Sequence, residues 1–464
     1  MKSPHQQNRA QQLAQMDKAC LWHPFTPMRQ WIAGELMIIE AAEGFELIDA
    51  QGRRYIDGFS SLWCNLHGHR VPAIDRAIRE QLDRVAHSTL LGFGSAASIE
   101  AARRLVEITP AGLAKVFFSD SGASAVEVAL KMAFQYYANL GQPRRRRFLA
   151  LREGYHGDTV GAMSVGAVEV FHERFRSLLF DVTFVDTPNP YHNPAGDVTG
   201  QAVLKQIDEA LAAAPGEYCA VILEPLIQGA AGMLTQPPGF LSSLSELTRR
   251  HDVLLIADEV ATGFCRTGKL FACEHENVTP DLMCLGKGLT GGYLPVAATM
   301  ATKEIFDAFC GKVDEGRTFY HGHTFTGNAL GCAAATASMD LISRTGLLDR
   351  LGDKVRLIAR RLGELAEHPN VGDIRQCGMM AGVELVARRG SGGAGGQRHR
   401  SSDEAFPPQQ RVGSAVCARA RKFGLIIRPL GDVVVLMPAP AMDLKTLDRM
   451  MCATVETVKE YFKA

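Results

Sequence analysis

The sequence predicts an α/β fold: a large domain with a mainly parallel sheet covered by helices, plus a smaller α/β domain from the two chain ends. Three observations carry this. Short apolar runs such as KVFFSD, RRFLAL, CAVILEP and VLLIADEV end at Gly, Pro or acidic residues. Between them lie stretches with helical apolar spacing, of which AIDRAIREQLDRVA is the clearest. Such alternation implies βαβ units and a sheet buried on both faces. The chain has 464 residues, enough for two or three domains sharing a large core.

Taken in order, residues 1–20 read as a polar arm with helical character. LMIIEAAEGFELIDAQGRRYID (36–57) reads as a small β-meander with turns at Gly44 and Gln51-Gly52. This arm and meander make up residues 1–70, and the large domain follows over 71–334. After GNALGCAAATASMDLI the chain turns helix-rich, with strands MMAGVELV and DVVVLMP, and 335–464 is expected to be the small domain. Within it, RRGSGGAGGQRHRSS (388–402) is a Gly/Ser/Arg insertion expected as a mobile surface loop, because it carries too little apolar surface to offset its ordering entropy.

Lys+Arg and Asp+Glu both number 50, so the net charge is zero and no global field attracts nucleic acid or an anionic membrane. The run Arg144 to Arg147 reads as a solvated loop. Eleven cysteines lie scattered without zinc-site or disulfide-framework spacing. With a polar N-terminus and no stretch of ~18 apolar residues, the reading is a cytoplasmic protein that spans no membrane.

Chemistry enters at VLLIADEVATGF (253–264), an apolar strand ending at Asp258-Glu259. Ligands of open α/β sheets sit beyond the carboxyl ends of strands, and a carboxylate there can hold a protonated ring nitrogen. A helix-capping Asp is the plain alternative. In DLMCLGKGLTGGYLP (281–295), Lys287 follows a strand and lies between Gly286 and Gly288. Desolvation and nearby positive charge would favour its neutral, nucleophilic amine. A lone lysine between glycines is usually a surface turn. The interval 287 − 258 = 29 residues changes that weight, since one helix plus one strand would bring both side chains to one sheet edge.

SDSGASAVEVALKMA (119–133) is a small polar turn entering a helix, either a phosphate site or an ordinary capped helix. GYHGDTVGAMS (154–164) sets Tyr155, able to lie flat on a planar ring, between glycines. His156 and the pairs His67/His69 and His321/His323 could instead ligate a metal, but no H-E-x-x-H occurs. FYHGHTFTGNALGC (319–332) offers Thr324 to a phosphate at the start of a helix, and RPLGD (428–432) presents Arg428 for a bidentate carboxylate contact. Either could equally be structural.

Together these segments, with ILEPLIQGAAGM and LLIADEVATGFCRTGKLFACE, resemble the class III aminotransferases over roughly residues 20–460. The resemblance implies the fold type I architecture and the cofactor pyridoxal 5'-phosphate. WHPFTPM (22–28), DGFSSLWCNLHGH (57–69) and the DIRQCG…IIRPLGDVVVLMP region resemble more narrowly the branch that converts 8-amino-7-oxononanoate to 7,8-diaminononanoate on the way to biotin. By resemblance, Lys287 binds the cofactor covalently and moves the proton, and Asp258 pairs with the pyridinium nitrogen. Gly122 and Ala123 hold the phosphate, helped by His323 and Thr324 from a second subunit. Tyr155 covers the ring with Asp158 supporting it, and Gln228 lies near the phenolic oxygen. Arg428 holds the oxononanoate carboxylate, and Gly322 and Trp63 line the channel. Active sites shared across a two-fold axis imply a homodimer.

Two positions depart from the version that takes its amino group from S-adenosylmethionine. Phe25 stands where that version has a tyrosine, and Leu62-Trp63 where it has tandem tryptophans. Both look closer to relatives that use lysine, so adenosylmethionine and lysine remain the two candidate donors. The alternatives are a class III transaminase for an ω-amino acid, ornithine derivative or diamine, and a non-catalytic cofactor-binding protein. The joint presence of Lys287, Asp258 and Tyr155 argues against the last.

Overall fold

The computed structural model describes residues 4–193, 197–390 and 399–463, with side chains from Asn8 onward. Its centre is a seven-stranded sheet in the order Leu113–Ser119, Ala297–Thr302, Leu282–Leu285, Leu254–Asp258, Tyr218–Leu223, Arg147–Leu151, Thr183–Val185. Ala297–Thr302 runs against both of its neighbours, and the other pairings are parallel. The mainly parallel sheet predicted from the sequence is therefore present.

Side-chain alternation explains why the inner strands read as unbroken apolar runs. Leu255 and Ala257 join Val221 and Leu223 on one face, under Val203, Ile207, Leu241 and Leu244 of helices Gln201–Ala213 and Phe240–Arg250. Leu254 and Ile256 join Ala220 and Ile222 on the other, under Ala125, Val126, Ala129 and Ala133 of helix Gly122–Asn139. Both faces are covered, so every residue of Tyr218–Leu223 and Leu254–Asp258 is buried.

The N-terminal arm is helical over Pro4–Cys20, and the meander consists of Ile39–Glu43, Glu46–Asp49 and Arg54–Asp57. Gly44 and Gly52 turn it with φ of 57° and 77°, a region open to glycine at little cost. Its last strand pairs in parallel with Leu425–Ile426, so the two chain ends share a sheet. A second C-terminal sheet has the order Val371–Cys377, Met380–Leu385, Val433–Leu436, Arg428–Leu430. Helix Ala329–Arg344 passes unbroken through the expected division at 334/335.

Two expectations need correction, and a third falls largely outside the described residues. Arg145 is not solvated: it is buried, reaching the Tyr218 carbonyl and Asp252 (3.2 and 2.7 Å), with its guanidinium 4.5 Å from the Tyr137 ring. Only the ends of the 388–402 insertion lie among the described residues, and these are pinned. Gly390 N donates to Asp403 (2.7 Å), His399 Nε2 to the Asn193 carbonyl (2.6 Å), and Arg400 pairs with Glu384 (3.3 Å); residues 391–398 lie outside the description. Between Asp258 and Lys287 the expected strand is present as Leu282–Leu285, but in place of the expected helix there is only the 3-10 turn Ala272–Glu276 among loops. Buried Glu259 accepts from Ala272 N, Cys273 N and Thr262 Oγ1 (3.0, 2.8 and 2.7 Å), so side-chain bonds organise that stretch instead.

Candidate active site

Asp258 ends its strand and lies opposite Cys284 in the neighbouring parallel strand; Lys287 follows three residues later, beyond that strand's carboxyl end. The carboxylate is 4% exposed and accepts from Val260 N (3.0 Å) and from His156 Nδ1 (2.7 Å), so the imidazole proton sits on Nδ1. Lys287 occupies a left-handed position (φ 37°) at the head of a short 3-10 turn, its Nζ 5.3 Å from the centre of the Trp63 ring. The residue keeps some surface in contact with solvent, yet crowding around the ammonium lowers its pKa. Burial is the main cause and Arg266 adds to it, against opposition from Asp258 and Glu224. The lysine and the carboxylate predicted to face one another are brought into mutual electrostatic reach.

Glycines bring the other motifs to this point. A Cβ on Gly122 would sit 2.5 Å from Val260 Cγ1, and one on Gly286 would lie 3.5 Å from Gly122 Cα. One on Gly157 would strike Ala123 Cβ at 2.4 Å. The starts of helix Gly122–Asn139, the Asp258 turn, the Lys287 turn and the 154–164 loop thus meet backbone to backbone. Ser121 caps that helix by accepting from Ser124 N (3.1 Å), and among the described residues none accepts from Gly122 N or Ala123 N. Two free N–H groups at the positive end of an 18-residue helix form an anion cradle.

Tyr155 donates its hydroxyl to Asp158 (2.9 Å), and its ring meets Phe171 edge-on at 5.9 Å, with Phe25 a further 5.1 Å from Phe171. Phe25 is exposed and carries a positive φ of 52°. Phe171, which joins Phe25 to Tyr155, belongs to no motif and was not legible in the sequence. Gln228 is buried, with its amide engaged by the Arg152 carbonyl (2.7 Å) and the Thr187 hydroxyl (2.8 Å). Glu224, on the same loop, accepts from Tyr155 N (3.1 Å) and Gly229 N (2.9 Å).

Burial, with the charge of Asp258 added, pushes the Glu224 carboxyl from 4.5 up to about 7, while His156 pulls it down. The folded chain therefore holds a proton that the unfolded chain releases, and stability drains away as pH rises from about 4.5 to 7. Glu224→Gln lacks this proton, so native stability relative to that variant should decline across the interval. A pH-independent difference in denaturant midpoints would contradict the assignment.

Trp63 reaches the site on a left-handed turn in which Ser60, Ser61, Leu62 and Trp63 all have positive φ (52°, 48°, 71°, 71°). Left-handed non-glycine residues cost about 1–2 kcal/mol each, so something must hold the turn. Asp57 accepts from Ser61 N and Oγ (2.9 and 2.7 Å), and Ser60 donates to the Met437 carbonyl (2.6 Å). Fully buried Arg266 donates to the carbonyls of Trp63, Asn65 and Pro438 (3.0, 2.8 and 3.0 Å). Hydrogen bonds to charged groups contribute about 1.5–3 kcal/mol each, which offsets strain of that size. Arg266 stands in FCRTGK, one of the quoted segments, but nothing in its spacing announced this task.

Arg428 lies opposite Val435 in an antiparallel pair, so both project from one face, and Val435 packs with Trp63 and Tyr155. Arg375 shares that row through Gly382 and is paired with Glu384 (2.6 Å). Arg428 has no hydrogen bond or ion pair among the described residues, so its guanidinium is free for an anion. The 319–332 segment is arranged otherwise than predicted. Its helix begins at Ala329 with Asn328 as cap, and Thr324 lies exposed before it rather than at its start. A side-chain cap replaced the threonine that spacing suggested. No described contact joins Gly322, His323 or Thr324 to Lys287, Asp258 or Trp63 within the chain, and Gly322 faces open space. His323 Nε2 is buried without a partner among the described residues.

Comparison with known proteins decides the family. The class-III aminotransferase family description matches residues 30–458. The chain belongs to the class III aminotransferases. An adenosylmethionine-8-amino-7-oxononanoate aminotransferase of Nitratidesulfovibrio vulgaris is 49% identical over 98% of this chain and 83% of its own length. The crystal structure of the enzyme of that name from Methanocaldococcus jannaschii superposes with a TM-score of 0.90 at 41% identity, covering 97% of this chain and 99% of the other. An omega transaminase of Pseudomonas jessenii in complex with PMP gives 0.89 at 27% identity, over 97% and 98%.

As a class III aminotransferase the chain depends on pyridoxal 5'-phosphate, and its residues fit that group. The free N–H pair at Gly122 and Ala123 suits the phosphate, the buried Asp258 carboxylate a ring N–H, and the depressed Lys287 amine the aldehyde carbon. His156, a candidate metal ligand by sequence, is instead the partner that orients Asp258.

Proposed function

We propose that this aminotransferase converts 8-amino-7-oxononanoate to 7,8-diaminononanoate for biotin synthesis, with adenosylmethionine as amino donor. The observation that carries the reading is Arg428, unpaired among the described residues, on the sheet face where Val435 packs with Trp63 and Tyr155; on this reading the two aromatics line the slot that leads to it. The name of relatives at 41–49% identity over nearly the whole chain supports it.

The roles rest on this geometry together with the resemblance to the family. Lys287 Nζ would hold the cofactor and would move the proton at the substrate carbon, with desolvation keeping the amine a usable base. Asp258, fixed by His156, keeps the ring nitrogen protonated. When bound, the cofactor supplies the electron sink for charge developing at the substrate carbon. Gly122 and Ala123 hold the phosphate, and the partner subunit's His323 and Thr324 complete that site from across a homodimer. Gln228 steadies the loop beside the phenolic oxygen, Tyr155 covers the ring, and Trp63, Phe25 and the partner subunit's Gly322 line the channel.

Dimerisation would cover Leu91, Phe93, Tyr320 and Phe325, which stand exposed on one chain. Eleven free thiols accord with a reducing, cytoplasmic setting. Among the described residues no helix is long and apolar enough to cross a membrane.

Incubation with 8-amino-7-oxononanoate and either adenosylmethionine or lysine should yield the diamine, fastest with adenosylmethionine. Turnover only with lysine would overturn the donor, and none with either would overturn the substrate. Arg428→Ala should raise KM for the oxononanoate roughly 10- to 100-fold by removing one charge-assisted contact, with the donor half-reaction little changed. An unchanged kcat/KM would remove Arg428 from the carboxylate site.

A further inference from the structure

Glu224 joins the two sides of the slot and the chemistry above gives it no part. One oxygen takes the N–H of Tyr155 (3.1 Å) and the other takes that of Gly229 (2.9 Å). On the reading above, those backbones support the two sides of the slot. The Tyr155 side bears the phenol and the Phe171–Phe25 pair. The Gly229 side bears Trp63, because a Cβ at residue 229 would lie 3.1 and 3.3 Å from Trp63 Cζ3 and Cη2 and 3.6 Å from Glu224 Oε1. The indole rests directly on the bare Gly229 backbone, with Lys287 Nζ 5.3 Å from its ring centre. Gly229 does not occupy a left-handed conformation, so its lack of a side chain answers to space and not to φ. Glu224 has no ion pair with a cation among the described residues; His156, Asp258, Lys287 and Tyr155 are the titratable groups that face it.

We propose that Glu224 is a positioning residue, and Gly229 a specificity-determining one, which together set the width of the slot between Tyr155 and Trp63 and so the chain length of oxo acid that can pass. A carboxylate accepts from two N–H groups at once, which ties the walls to one another. A glutamine in its place turns an N–H₂ toward one of those donors and releases that wall. An alanine at 229 pushes the indole by a few tenths of an ångström into the slot. Both changes act on passage and leave the lysine, the carboxylate and the cofactor cradle in place.

The inference rests on the reading that substrate enters between Tyr155 and Trp63. Wild-type turnover of 8-amino-7-oxononanoate tests that reading by itself, so its failure is seen separately. With holoenzyme, KM and kcat are measured for the oxononanoate and for a short oxo acid in wild type, Glu224→Gln, Gly229→Ala and the double variant. The expected result for each single change is a rise in KM for the long substrate of about 10-fold, with kcat within about 3-fold and the ratio of long to short kcat/KM shifted at least 5-fold. The double variant should be less than additive, because both substitutions act on one slot. In a Trp22→Phe/Trp31→Phe background, emission of the remaining Trp63 should shift in both single variants. Equal effects on long and short substrates, a loss confined to kcat, or unchanged Trp63 emission would each overturn the assignment. Gly229→Ala keeps the test open if Glu224→Gln fails to fold.

Discussion

Lys287→Ala is expected to lower kcat on the order of 10⁴-fold or more and to remove the visible absorbance of bound pyridoxal phosphate. The size of the effect follows from two tasks resting on one atom. On the proposed reading Nζ would form the bond to the cofactor and also move the proton, and no second lysine among the described residues is crowded by both Asp258 and Trp63. The fold should survive, since the side chain makes no hydrogen bond among the described residues and a left-handed alanine adds only modest strain. Added methylamine should restore part of the rate if a free amine can take over the proton. A variant with wild-type turnover and spectrum would refute the role.

Asp258→Asn is expected to cost about 10²–10⁴-fold in kcat for both half-reactions. Asparagine matches aspartate in shape but keeps only one of the two oxygens that take Val260 N and His156 Nδ1 separately, and its N–H₂ faces the other partner. It also loses the negative charge, which on the proposed reading would hold a proton on the cofactor's ring nitrogen. Burial makes the difference large, because water does not screen a carboxylate that is 4% exposed. Changes of less than 3-fold in kcat would mean that the ring nitrogen has another partner. A loss only in KM would place Asp258 in binding alone.

The fold was legible where burial dictated residue type. VLLIADEV and CAVILEP read as strands because both their faces are covered, and that same double burial erased any alternation. Asp258 and Lys287 were legible because each closes such a strand. Their meeting was expected by way of a helix. In fact adjacent strand register, Asp258 opposite Cys284, delivers it, while Glu259 ties down the intervening loop. Arg145 was misread because a run of four arginines resembles a solvated patch, and only the fold shows Tyr137 and Asp252 waiting for one of them. The Trp63 turn was hidden for another reason: four left-handed residues without a glycine go against local propensity. Contacts from Met437 and Arg266, far along the chain, override it. Glu224 and Phe171 stayed out of sight because their meaning lies in which loops they join.

One covalent attachment underlies the whole proposal, and chemical fixation tests it most directly. Holoenzyme treated with borohydride, digested and mapped by mass should carry the pyridoxyl group on the peptide spanning DLMCLGKGLTGGYLP, with Lys287 as the modified residue. Label on any other lysine, or none retained after unfolding, would contradict it.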